Sequence, residues 1–325
     1  MNETISVVLP VLAMDKRLKP CLKRFLAQTY PSLELILPAA PGLGEDLAAA
    51  DPRVRLLPGE YGSLTEAAVA GAQAAAGDCV AFADPASRPD ADMLEKMRRA
   101  LAEKQADVVI SPNRVPPPLS FQAGKDQEAP HEPWRDVLFG GRKALYELIV
   151  GRTIEGVLWD KLFRRSLFDG LSAAAEDEHL RDDTLLVELF RRTGRVVRLY
   201  KPLYERPWET ASKDFRGAVN EVLLRQKLVE LVDRACPLFL SGAWTAYGEA
   251  MEALVVKAVE TDQAEGLKYQ ELLTGTLAPF YGERGRAALN VPWKVDTKYQ
   301  VLLSRPVLFW HLWPMIRRVK TAILG

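Results

Sequence analysis

Short apolar runs alternate with stretches whose apolar residues recur at helical spacing, and this alternation fills the first third of the chain. The runs Ile5–Pro10, Leu33–Leu37, Val54–Leu57, Cys79–Ala83 and Asp107–Ile110 are short, leucine-rich or β-branched, and each predicts a strand. Between the first two, Leu18, Leu22, Phe25 and Leu26 share one helical face. Ahead of the last, Met93, Met97, Ala100 and Leu101 do the same, with Asp90 or Asp92 placed to cap that helix. Strand, helix, strand in succession predicts a doubly wound, mainly parallel α/β sheet with helices on both faces. Ligands of such sheets bind at the carboxyl ends of the strands, so the loops after Pro10, Leu37 and Ala83 are where a site is expected.

The pattern lapses between Pro112 and Pro133, where Pro116-Pro117-Pro118 and mixed charges leave little to bury; this reads as a lid or a solvated linker. Mixed helix and strand return from Trp134 to Tyr204, ending in a helix over Asp183–Arg192 and a strand over Val196–Tyr200. Beyond Phe215 the chain reads as helices, among them Phe215–Arg234 and Trp244–Glu260. Four regions follow: 1–111, 112–133, 134–212 and 213–325.

Composition narrows the function. A chain of 325 residues that is 48% hydrophobic has material for a sizeable core. Its 43 basic and 43 acidic residues cancel, so no overall field draws nucleic acid, and no basic stripe suggests it locally. Cys21, Cys79 and Cys236 are far apart, which argues against a disulfide framework or a zinc knuckle and fits a reducing cytosol. The apolar start, Ile5 to Met14, carries Glu3 and Pro10 and reads as a strand, not a signal peptide. Gly42-Leu43-Gly44 lacks the third glycine of a dinucleotide fingerprint, and no P-loop exists. The acidic knot Glu176-Asp177-Glu178-His179 lacks metal-motif spacing, and His131, His179 and His311 are the only histidines.

Three blocks, ISVVLPVL from Ile5, CLKRFLAQTYPSLEL from Cys21 and GSLTEAAVAGAQAAAGDCVAFADPASRPDADMLEKM from Gly62, resemble in order and spacing the donor-binding half of family 2 glycosyltransferases of the GT-A fold. Two more, VLWDKLFRRSLF from Val157 and LRDDTLLVELFRRTGRVVRLYKPLYERPWETAS from Leu180, are similar to the acceptor half of bacterial polysaccharide-synthesis members. The resemblance makes residues 1–111 the nucleotide-sugar-binding half and 134–212 the acceptor side, and leaves 213–325 a helical region it does not cover. It implies transfer of a sugar from a nucleoside diphosphate to a hydroxyl, usually with inversion. Such a reaction needs a metal or fixed cations for the departing diphosphate and a general base for the hydroxyl.

The chain departs from the family at the strand ends. Ala39-Ala40-Pro41-Gly42 replaces the usual Asp-Asp-Gly-Ser, Leu12-Ala13 replaces Tyr-Asn after Pro10, Ala68-Val69 replaces Arg-Asn, and Asp-x-Asp has become Asp84-Pro85-Ala86-Ser87. Asp84 is thus the one surviving candidate for a metal or ribose contact, or else it caps a turn; manganese or magnesium has an incomplete motif. Arg88 is a candidate replacement for the metal, and otherwise a solvated arginine. Asp182-Asp183 stands where the family has Glu-Asp, with Asp183 the implied base or, alternatively, a helix-start acid. Trp159, Lys161 and Arg164 form the expected acceptor side, with Trp159 also a candidate for core packing and the cations for a solvated face. The leading expectation is an enzyme of polysaccharide or glycolipid assembly acting on a saccharide or lipid-linked acceptor at the cytosolic side. Its rival is a degenerate relative kept as a binding or scaffolding module.

Near the end, Phe309, Trp310 and Trp313 precede Arg317, Arg318 and Lys320. Arg305, Pro306, His311 and Pro314 interrupt the apolar stretch, so it suits a peripheral segment on a membrane surface, or aromatics docked on the protein's own core or a twin subunit, but not a spanning helix.

Overall fold

The computed structural model describes residues 3–49, 51–114, 135–151, 153–171, 182–206 and 214–312. They fall in two units, Met1–Glu209 and Thr210–Gly325. In the first, the ten strands are β1 Ile5–Val8, β2 Leu33–Ala39, β3 Val54–Pro58, β4 Cys79–Phe82, β5 Arg88–Pro89, β6 Val108–Ile110, β7 Val137–Phe139, β8 Lys161–Arg164, β9 Val196–Arg198 and β10 Tyr204–Glu205. Eight of them make one sheet in the order β3-β2-β1-β4-β8-β6-β9-β7, and β5 pairs with β10 separately. The first half is wholly parallel, with Ile5 opposite both Leu33 and Cys79. β8 then enters antiparallel between β4 and β6, and β7 closes the far edge antiparallel to β9. The sheet is therefore mainly parallel, as the alternation predicts, with two reversed strands that the alternation does not show.

Helices cover both faces because every central strand is buried on both sides. Ile5, Val7 and Leu9 pack in one core cluster with Leu18, Cys21, Leu22 and Phe25 of α1 (Leu18–Leu26), Leu47 of α2 (Glu45–Ala48) and Leu94, Met97 and Leu101 of α4 (Met93–Glu103). The opposite face carries α3 (Leu64–Gln73). It lies so close to the sheet that a Cβ on Gly71 would come within 2.5 Å of Val8 and 2.8 Å of Pro38, so only glycine fits there. Helix α5 (Gly141–Ile149) packs on α6 (Asp183–Arg192), whose bounds coincide with the periodicity. Neither Asp90 nor Asp92 caps α4 through its side chain. Instead the buried Gln28 amide accepts from Leu94 N–H at 3.0 Å and donates to the Asp90 carbonyl at 2.7 Å.

The second unit begins with two long helices, α7 (Phe215–Ala235) and α8 (Leu240–Glu260), joined by a short turn at Pro237–Phe239. The helix ending at Ser304 and the residues after it complete a core around Tyr247, Phe280, Tyr281 and Tyr299. Phe309 and Trp310 are buried in this unit, Trp310 donating to the Ala258 carbonyl at 3.1 Å and meeting Phe215 edge-on. Two rings of the expected membrane segment therefore serve their own core, while Val307, Leu308 and Leu312 stay exposed. Trp313, Arg317, Arg318 and Lys320 lie outside the described residues, as do Glu176–His179 and most of 112–133. Among the described residues, no helix is long and apolar enough to cross a membrane.

Candidate functional site

The carboxyl ends of β1, β2 and β4 carry few polar side chains. Past β1, Pro10 is half-buried and the chain bridges back to β2, Val11 pairing with Ala39 and its carbonyl accepting from Ala40 N–H at 3.2 Å. Ala39 is fully buried, so the position that bears an acid in the resemblance is here part of the core. Ala68, on α3, is buried as well.

Asp84, after β4, accepts from Ala86 N–H at 2.7 Å, an Asx-type turn of the kind a short carboxylate makes with its own backbone. The same carboxylate is ion-paired with Arg206, Nε standing 3.2 Å from one oxygen and Nη2 3.2 Å from the other. The Arg206 backbone is clamped by Asn113 just beyond β6: the Asn113 amide donates to the Arg206 carbonyl at 2.9 Å and accepts from its N–H at 3.0 Å. The Arg206 guanidinium also lies over the Trp159 ring, 5.0 Å from its centroid, and Trp159 meets Tyr204 edge-on. Arg88 points elsewhere; it is 62% exposed and 3.7 Å from Glu205. With Asp84 engaged and Ala86 and Ser87 following it, the motif does not fit a divalent cation. No cluster of three or more metal-ligating side chains exists among the described residues.

Asp182 and Asp183, expected on the acceptor side, open α6. Asp182 accepts from Leu158 N–H at 3.0 Å and from the Thr65 hydroxyl at 3.1 Å, so it ties the start of α6 to the start of α3 and to the segment before β8. Helix α3 is itself capped by Ser63, which accepts from Glu66 N–H, while the Glu66 carboxylate accepts from Gly62 N–H. Asp183 is 8% exposed, and its carboxylate presses on Gly156, where a Cβ would come 2.2 Å from Oδ1. Leu158 and Trp159 are consecutive, so Asp182, Trp159, Arg206 and Asp84 form one connected cluster.

Two expected acceptor-side cations are corrected. Lys161 is not at a surface: it is 1% exposed, and its ammonium donates to Asp160 at 2.5 Å, to the Val157 carbonyl at 2.6 Å and to the Glu155 carbonyl at 2.9 Å. Arg164 ends β8 opposite Cys79, at the amino end of β4 and so away from the strand ends where ligands are expected, and it donates to the Ala106 carbonyl. Trp159 packs against the core, as its second reading expects, and also meets the Arg206 guanidinium.

Around Lys161 lies a charge cluster that pattern reading missed. Burial, then the neighbouring Asp160, pushes Glu155 up to about 8 against the pull of Lys161, Arg198 and Arg206. Burial also raises Asp160, opposed by its Lys161 pair, and lowers Arg198. Arg206 was missed too: nothing in YERPW marks which arginine reaches back 122 positions to Asp84.

Known proteins place this architecture. The model of glycosyl transferase family 2 matches residues 6–170. The chain is 25% identical over 245 residues to a Bacillus subtilis protein named uncharacterized glycosyltransferase EpsJ, covering 70% of this chain and 68% of that one. It is 35% identical over 117 residues to glycosyltransferase GlyG of Streptococcus pneumoniae, covering 34% and 39%. Among solved structures, residues 1–349 of S. aureus TarS in complex with UDP-GlcNAc share the fold, with a TM-score of 0.56 at 14% identity over 97% of this chain and 91% of that one. A family match over half the chain, on a sheet with this strand order, makes the protein a member of glycosyl transferase family 2.

Proposed function

We propose that the protein transfers a sugar from a nucleoside-diphosphate donor to a hydroxyl of a saccharide or lipid-linked acceptor, with inversion, in bacterial cell-surface polysaccharide or glycolipid assembly on the cytosolic side. The observation that carries this is the pair at the start of α6: Asp182 spends its oxygens on Thr65 and Leu158, while Asp183 is pressed against Gly156 beside it. In this reading Asp182 positions and Asp183 is the base. The acceptor hydroxyl attacks the anomeric carbon as Asp183 takes its proton, and the carbon–oxygen bond to the diphosphate breaks with its electron pair leaving on the diphosphate. UDP-GlcNAc, bound by TarS, supports a nucleotide sugar as the donor class.

A second reading has one specific support: Ala39, Ala40 and Ala68 stand where the resemblance places polar donor-binding residues, as in a degenerate relative kept as a binding or scaffolding module. The two are separated by incubating the full chain with UDP-, GDP-, CDP- and dTDP-sugars and a mixture of saccharide and polyprenyl-linked acceptors. Release of nucleoside diphosphate, with a mass gain of one sugar on an acceptor, is the expected result. Binding without release in every combination would establish the binding-module reading.

A further inference from the structure

We propose that Arg206 stands in for the metal ion in this chain: its guanidinium, anchored on Asp84, is the cation that receives the donor's diphosphate. The inference rests on the nucleotide-sugar reading of the site and concerns how that site neutralises charge.

The Asp84 turn does not suit a metal. A hard divalent cation wants several oxygen ligands, and the motif offers a single carboxylate whose two oxygens already meet Ala86 N–H and the Arg206 guanidinium. The charge that a metal would have balanced is balanced by the protein itself. Breaking that pair to admit a metal would leave an arginine that is only 15% exposed facing the incoming cation at close range.

The position of Arg206 also suits the role. Arg206 is fixed at three points before any ligand arrives: its backbone by Asn113 at both N–H and carbonyl, its guanidinium by Asp84, and the same guanidinium over the Trp159 ring. The strand leading into it, β10, pairs with β5, which follows the Asp84 turn, so Arg206 is held at the carboxyl end of β4. Preorganisation of this kind is what stabilises developing charge without reorganisation during the reaction. A guanidinium has five N–H donors in a planar fork, so one group serves a carboxylate and a phosphate at once. Arginine keeps its charge throughout, whereas a lysine in so enclosed a place would be prone to lose it. Arg88, nearer to the lost motif in sequence, is exposed and held by Glu205, and lacks this anchoring.

The test is calorimetric titration of UDP, GDP, CDP and dTDP into the full chain, first with EDTA and then with manganese. The tightest ligand is then repeated on Arg206→Gln and Arg206→Lys, with its parent nucleoside followed by saturation-transfer NMR. Binding in EDTA should lie within about threefold of that in manganese. Arg206→Gln should weaken the diphosphate by about tenfold or more, as loss of a charge-assisted contact does, with the nucleoside little changed, and Arg206→Lys should recover part of it. Manganese-dependent binding that Arg206→Gln leaves intact overturns the proposal. Equal loss of nucleoside and diphosphate also overturns it, since that is the mark of a structural role. A parent protein that binds no nucleotide under either condition removes the nucleotide-sugar reading itself, and this inference with it.

Discussion

The two halves of the sheet share a fold logic and differ in where they keep their charge. From β3 to β4 all pairings are parallel and the strand ends hold Pro10, Ala39 and Ala40, with Asp84 the one acid kept from the metal motif. From β8 to β7 the strands mix direction, and the interior holds Asp160, Lys161, Asp183 and the half-buried Glu155. Burying ions is expensive, and a fold that only needed stability would fill that space with apolar side chains. The first half is thus kept chiefly by packing, while the second retains costly polar groups beside the acids that the proposed chemistry uses.

This contrast can be broken most forcefully at Lys161. Lys161→Met leaves the buried Asp160 without its nearest cation and should cost about 3–5 kcal/mol, read as a lowered denaturant midpoint with unchanged slope. Replacing Asp160 and Lys161 together by apolar residues should restore most of it. A midpoint unmoved by the single change would mean that the buried charges are incidental. Next comes Asp183→Asn, for which turnover should fall by about two orders of magnitude while donor affinity stays near that of the parent. Full activity in a folded Asp183→Asn protein would reduce that acid to a helix-start residue and erase the functional side of the contrast.

A subtler effect is expected from Glu155. Its folded carboxyl titrates near 8 instead of the ordinary 4.5, so between those values the folded state holds a proton that the unfolded state has released. The stability that this proton brings is fully present below the ordinary carboxylate range and is lost as pH rises toward 8, at up to about 1.4 kcal/mol per pH unit. Glu155→Gln should flatten the fall in stability over that window; the same slope in both proteins would show that Glu155 is ionised in the fold. The smallest effect belongs to the parallel half, where Ser63→Ala removes the cap of α3 and should cost about 1 kcal/mol in thermal unfolding. A loss several times larger would show that α3 depends on its polar cap as the other half depends on Lys161.

What was legible beforehand follows the same division. Strands β1–β4 and β6, the faces of α1 and α4, and the bounds of α6 are visible in the sequence because local periodicity dictates them, whereas the two-residue β5 is not. Strand β8 was not, because KLFR carries no alternation and its reversed direction is set by neighbours far along the chain. Lys161 and Arg164 look alike as basic residues in one block, yet one is sealed in the interior and the other ends β8 beside the amino end of β4. Asp84 and Asp183 could be singled out by resemblance, but Arg206 could not, since its partner choice depends on the Asn113 clamp and the β5–β10 pairing. Local pattern reports elements; charge partners are a property of the assembled sheet.

The single amide of Gln28 also sets how this unit comes apart. It sits just past the end of α1 and holds the first turn of α4, a link expected to make the two helices open together. Their amide protons should therefore exchange with a common protection, and Gln28→Met, which keeps the bulk but not the hydrogen bonds, should let α4 fray from its first turn while α1 stays protected.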